Sequence, residues 1–325
     1  MPSQFTHKFA AWKIYLALPE NVRAEISCLP AYFLGAQGPD LFYFLYPFSD
    51  RGKLGRFMHG AGVYEAVSAV CGCADTPPAF SYAAGFVTHC ALDRVFHPYI
   101  LGMAENLKKS GYSEKLGLHG YIESDLDTYF VRKFLSCQQT PAKQNADPSE
   151  AKRGKKNTPG CRAAYRPELC NSRELEPLVG YLCGVIARLL GRKVSPRALS
   201  AALRRFCLFS RAFSGERSTR RKVLYFLESS VGANHTFSSR CRRPQVDPAC
   251  LNRELKEWRD PADPSFFSHE DADRVFVRAV SEGVRLLDLF YICRAADQPL
   301  PREDFSKALI AYPRGGEKPD ELSRK

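Results

Sequence analysis

The sequence predicts an all-α protein with a metal site between its helices. Apolar residues recur at helical spacing through most of the chain, and the alternation of a half-buried strand is scarcely present. Helix start and stop signals punctuate that pattern. Histidines and carboxylates stand four residues apart in two places: His89, Asp93 and His97, then His119 and Glu123. A four-residue step turns a helix about 40° beyond a full turn, so each set shares one face. Facing helices with imidazoles and carboxylates turned inward are how helical proteins hold metal ions.

The elements follow in order. Ser3 or Thr6 can cap a first helix that runs through Lys13 to about Leu18, where Pro19 and Asn21 break or restart it. Residues 35–40 (Gly-Ala-Gln-Gly-Pro-Asp) form a turn and deliver Asp40 to a loop-to-helix junction. Phe42, Tyr43, Phe44, Tyr46 and Phe48 crowd the next segment; Phe42, Phe44, Tyr46 and Phe48 are suited to core packing or, if outward, to lipid contact. A helix is expected around His59 to Val70, ended by Thr76-Pro77-Pro78. Ser81 then caps a helix with Phe86, Leu92 and Phe96 on its apolar face, and Pro98 stops it. Another runs from about His119 to Leu135, with Gly117 and Gly120 permitting close backbone approach near its start.

From Gln138 to Pro167 the chain turns polar and loses its aliphatic period, the composition of a disordered or extended insertion. Helical patterning resumes over Leu175–Leu190, Ser195–Phe209, Lys222–Ser229 and Asp271–Cys293, and the tail from Arg314 is charged and loose. The expected organisation is a metal-binding helical region over 1–137, the insertion 138–167, a basic helical half over 168–313 packed on the first as one domain, and a flexible tail 314–325.

With 325 residues, 45% of them hydrophobic and 12% aromatic, the chain can bury a substantial core. Residues 1–135 hold 12 Lys/Arg and 12 Asp/Glu; residues 136–325 hold 35 and 23, and so carry the whole net charge of +12. The histidine cluster and the basic charge therefore sit in different halves. A basic half suits anionic lipid or nucleic acid, or is simply a solvated surface. No signal peptide is expected, because His7, Lys8 and Lys13 interrupt any apolar leader. The longest apolar run, Leu178 to Ala187, is too short to span a bilayer. The expected location is cytoplasmic, and the 12 cysteines are expected as reduced thiols.

Imidazole nitrogen with carboxylate oxygen suits Zn²⁺. His89 and His97 are about 12 Å apart along a helix axis, so they serve different metals, with Asp93 between them able to bridge. Either set alone could be an ordinary surface pair. Both within one short stretch, with His7 and His59 upstream, read as a ligand set. Asp125 and Asp127 are expected to face solvent, and His235 and His269, lacking carboxylates at helical spacing, to be ordinary histidines.

The ordered fragments THKF (Thr6–Phe9), GAQGPDLFYF (Gly35–Phe44), FMHG (Phe57–Gly60), GFVTHCALDRVFHPY (Gly85–Tyr99) and HGYIESDLD (His119–Asp127) resemble the zinc-dependent phospholipase C family. That family is all-α and related in fold to secreted bacterial phospholipases C and zinc-dependent single-strand nucleases. The resemblance is dense over 1–130. It is thinner from 170 to 310, where Asn252, Trp258 and Pro261 carry it, and the run 138–167 has no counterpart. It implies two or three Zn²⁺ per chain: His59, His89 and Asp93 on one, His97, His119 and Glu123 on a second, and His7 with bridging Asp93 on a third. It implies Asp40 as general base toward a zinc-activated water, and a diacylglycerol leaving group. Two departures stand out. The secreted enzymes use a processed N-terminal residue as a ligand, and here no cleavage site is expected to free one. The spacing of His89, Asp93 and His97 is also tighter than theirs.

The function expected is a zinc-dependent phosphodiesterase acting on phospholipid or a related phosphodiester, with peripheral membrane contact. Two alternatives stand beside it: a nuclease-like enzyme using the basic half to hold nucleic acid, and a non-catalytic scaffold with closed zinc sites. Eight candidate residues for two or three metals leave open positions, which favours catalysis.

Overall fold

A computed structural model describes residues 4–45, 53–139, 175–191, 193–213, 218–230, 238–239 and 241–306. The insertion expected at 138–167, apart from its first two residues, lies outside them, as do the tail, Ser3, Tyr46, Phe48 and His235. The described elements are α1 (Gln4–Ala17), α2 (Glu20–Glu25), α3 (Leu29–Gly35), a 3-10 segment (Gly38–Phe44), α4 (Lys53–His59), α5 (Val63–Gly72), α6 (Pro77–Lys109), a 3-10 turn (Glu114–Leu116) and α7 (Leu118–Gln139). There follow α8 (Glu176–Leu190), α9 (Pro196–Phe213), α10 (Ser218–Ser230), a 3-10 turn (Pro248–Leu251), β1 (Trp258–Asp260), β2 (Asp263–Ser268), α11 (Ala272–Ala295) and α12 (Arg302–Phe305). The chain is all-α, with one small hairpin.

Helix α6 is the axis on which the site is built, and most of its residues are buried. Helix α3 approaches it backbone to backbone. A Cβ on Gly85 would stand 2.0 Å from the Tyr32 carbonyl oxygen, and one on Gly35 would stand 2.0 Å from that of Tyr82. Helix α11 also packs on α6, stacking Phe290 on Phe80 at 5.3 Å and bringing Phe276 against Phe96. Helix α1 packs on α11 and α3: Phe9 stacks on Phe276 at 5.2 Å, and the Tyr32 hydroxyl donates to the Ala11 carbonyl.

Several expectations are corrected. The helix drawn from His59 to Val70 is two helices, with His59 closing α4 and a turn at 60–62 before α5. Thr76-Pro77-Pro78 begins a helix instead of ending one. Thr76 is the N-cap, its hydroxyl accepting from Ala79 N, and proline suits a first turn whose N–H has no helical partner. Ser81 is therefore inside α6, where its Oγ donates to the Pro77 carbonyl and accepts from Cys28 N. Pro98 does not stop α6, which continues to Lys109. An interior proline costs about 3 kcal/mol, and burial of α6 on both sides of Pro98 outweighs it. Asp125 is fully buried, not solvent-facing: Arg243 pairs with it and Asp247 N donates to it. The Arg243 guanidinium also lies 3.4 Å from the Tyr121 ring centroid, tying the basic half to α7.

The hairpin pairs Trp258 with Ser268 and Arg259 with Phe267, with an irregularity after Arg259. It seats Trp258 edge-on to Tyr99 of α6. Of the aromatic cluster, Phe42 is in the core and Phe44 packs on Phe206 and Phe209, so the core-packing alternative holds for both. Cys28, Cys71, Cys73, Cys90, Cys183, Cys250 and Cys293 are thiols, not disulfides. No described helix is long and apolar enough to cross a membrane.

Gly85→Ala should lower stability by about 1–3 kcal/mol through overpacking, read as a lower urea midpoint. An unchanged midpoint would mean that α3 and α6 can separate at no cost.

Candidate metal centre

Asp93 is buried halfway along α6, and four imidazoles face its carboxylate. His7 Nε2 of α1 is 3.1 Å from Oδ1. His89 Nε2 is 3.0 Å from Oδ2, His97 Nδ1 is 3.7 Å and His59 Nε2 is 3.8 Å from that same oxygen. The i, i+4, i+8 spacing brings His89, Asp93 and His97 to this point on one face, as the helical period requires. The His7 and His89 rings stack at 4.5 Å.

The second group lies where α6 meets α7. His119 Nε2 is 3.1 Å from Glu123 Oε1, and His97 Nε2 is 3.9 Å from that oxygen. His97 and His119 stack at 5.4 Å. His97 therefore stands between two carboxylates, Asp93 on one ring nitrogen and Glu123 on the other. The ligand atoms of His7, His89 and Asp93 lie within 4.8 Å of one another, as do those of His97, His119 and Glu123.

Asp40 and His59 adjoin the first group. The 3-10 segment places Asp40 Oδ1 3.3 Å from His59 Nε2. Gly38 makes this approach possible: its φ is +54°, and a Cβ there would stand 2.3 Å from the His89 ring. Gln37 Nε2 donates to the Gln4 carbonyl, linking this segment to the start of α1. The reason for GAQGPD is thus steric as well as chemical.

Every residue singled out from sequence as a ligand or base reaches this region; His269 is exposed and does not. His7, assigned by resemblance to a third ion, has its ligand atom grouped with those of His89 and Asp93, while His59 lies nearer Asp40. Sequence reasoning missed Asp127. It is buried, and accepts from Thr6 N at 2.8 Å, Thr6 Oγ1 at 2.6 Å and Phe5 N at 3.3 Å, holding the start of α1 beside His7. The signal available was its position one helical turn after Glu123, on the inward face of α7.

The electrostatics are those of a cation site. Burial works against a charged His7, yet Asp93 outweighs it and holds His7 above its ordinary value. Burial lowers His89, and lowers His97 to about 4, so both offer neutral rings near pH 7. Burial opposes ionisation of Asp93, but His89, His97 and His7 hold it well below the carboxylate range. Glu123 is brought to about 2 against the same cost, chiefly by His119. Asp40 is lowered despite burial, with His59 among the groups that lower it.

Buried polar atoms without hydrogen bonds mark where a metal fits. Within the two groups they are His7 Nδ1, His89 Nε2, His97 Nδ1 and Glu123 Oε2; His89 Nε2 is close to Asp93 but not aligned for a hydrogen bond. His59 Nδ1 is 2.6 Å from the Gly55 carbonyl, which fixes the ring with Nε2 turned toward the Asp40 carboxylate. His89 Nδ1 faces the Ala36 carbonyl in the same way. Nitrogen and oxygen donors without thiolate suit zinc.

Fold and site together define an all-α protein with two adjoining histidine–carboxylate groups fit for metal ions. The chain belongs to the zinc-dependent phospholipase C family, whose sequence profile matches residues 6–174, just over half its length. No curated protein and no solved structure matches it.

Zinc bound by His7 would displace its proton, so affinity should then fall about tenfold per pH unit once pH drops below the raised His7 value. Chelator competition from about pH 8 down to about pH 5 measures this. His7→Ala should flatten the dependence; an unchanged slope would remove His7 as its source.

Proposed function

We propose that the chain is a zinc-dependent hydrolase that cuts a phospholipid head group by phospholipase C-type chemistry, with two or three Zn²⁺ per chain. The observation that carries this reading is the Asp93 carboxylate buried among four imidazoles, with Asp40 against one of them. Family membership supports a hydrolase of this class. His7, His89 and Asp93 would hold one ion and His97, His119 and Glu123 another; His59, facing Asp93 and Asp40, would serve a third.

Bound zinc supplies Lewis acidity, lowering the pKa of water and neutralising phosphoryl oxygens. The chain's own residues do the rest. Asp40, kept as a carboxylate, accepts the proton of the attacking water. His59, its ring held by the Gly55 carbonyl, faces Asp40 through Nε2 and keeps it oriented. Gly38 holds the Asp40 segment against His89.

A lipid substrate is supported by α10. Val223, Phe226 and Leu227 stand at i, i+3 and i+4 on this helix, 53%, 70% and 54% exposed, while Glu228 points inward and accepts from Ser238 N. An outward apolar stripe on a basic half suits a bilayer surface.

Purified protein should carry two or three zinc ions, and a head-group-release screen should find turnover on phospholipid above that on single-stranded DNA. Turnover on DNA alone would replace lipid with nucleic acid as substrate. Asp40→Asn should keep its zinc and lose about 10²–10⁴-fold in kcat; loss of zinc instead would make Asp40 a ligand. Phe226→Ser should slow hydrolysis of vesicle lipid and leave a soluble short-chain substrate unaffected. Equal rates on vesicles would remove α10 as the contact.

A further inference from the structure

Asp127 lies outside both metal groups yet is bonded to the two residues that precede His7. It follows Glu123 by four residues on α7, so its side chain leaves the same face one turn later. Its buried carboxylate takes two backbone N–H groups and a hydroxyl from the first turn of α1, at Phe5 and Thr6. These N–H groups have no helical partner of their own, and the positive end of α1 favours a carboxylate there. The bond spans 121 residues of sequence, so it is tertiary and not a local cap. The next residue after Thr6 is His7, 3.1 Å from Asp93.

We infer that Asp127 is a positioning residue that sets the His7 ring on the first metal group, so that α7 serves both groups, the second through His119 and Glu123 and the first through the start of α1. This rests on the metal reading proposed above. Aromatic packing also joins α1 to α7: Phe9 lies against Phe130 and Phe134, with ring centroids at 6.3 and 5.2 Å, and Phe5 against Phe134 at 6.0 Å. Helix α1 therefore stays docked when Asp127 is altered, and what is lost is the fixed rotation and height of its first turn. Partners that orient a ligand from behind typically govern metal affinity by about 10–100-fold.

The test is a double-mutant cycle on zinc affinity, read by chelator competition on full-length protein. In a His119→Ala background, which weakens the second group, Asp127→Asn should lower the remaining affinity about tenfold or more. Thr6→Val, which removes only the hydroxyl donor, should produce a smaller loss. In a His7→Ala background Asp127→Asn should change nothing further. A general structural role would instead lower affinity whether or not His7 is present, and that result overturns the inference. So does undiminished affinity in Asp127→Asn. Parent protein that takes up no zinc at all overturns the metal reading, and this inference with it; zinc-loaded parent with an indifferent Asp127→Asn overturns only the latter.

Discussion

The carboxylate of Asp93 is the constraint on which the rest of this structure depends. A buried, ionised acid is tolerated only when opposing groups repay its lost hydration. Here the opposing groups are imidazoles drawn from three helices: His7 from α1, His59 from α4, and His89 and His97 from α6 itself. Each must arrive within a few ångströms of one point. That demand accounts for the glycine-mediated contact of α3 with α6, the left-handed Gly38, and the sharp end of α4 at His59.

The same centre explains why the polar interior does not come apart in layers. Behind the ligands stands a ring of bonds to the backbone: Gly55 behind His59, Ala36 behind His89, Asp127 behind the first turn carrying His7. Asp125, two residues before Asp127, reaches away from the site to Arg243 and Asp247. Successive acids on α7 therefore face different neighbours: Glu123 a histidine pair, Asp125 the basic half, Asp127 helix α1. One helix ties the site to two other parts of the chain, using only the rotation between its residues.

Much of this was legible in the sequence. A period of four in histidine and carboxylate survives any error in helix ends, so the shared face of His89, Asp93 and His97 could be read directly. The long helices of the second half were legible for the same reason, since their apolar period is strong. What could not be read was set by tertiary forces. Pro98 is an interior residue because packing outweighs a local preference. The Thr76-Pro77-Pro78 run marks a boundary, but proline is as welcome at a helix start as after its end, and the sequence does not say which. Asp125 and Asp127 look like solvent residues until Arg243 and Thr6, more than a hundred residues away in each case, are brought to them. The hairpin at 258–268 escaped notice because β1 spans only three residues and β2 is largely exposed, leaving no alternation to detect.

Placing three site residues on one continuous helix also makes α6 a ruler. Adding or deleting a single residue between His89 and His97 would rotate one half of the set by about 100° relative to the other. Both metal groups would be dismantled at once, since Asp93 and His97 each face a partner in the other's neighbourhood. The part of the molecule that gathers its buried histidines and carboxylates is therefore also the part whose register has least room to drift.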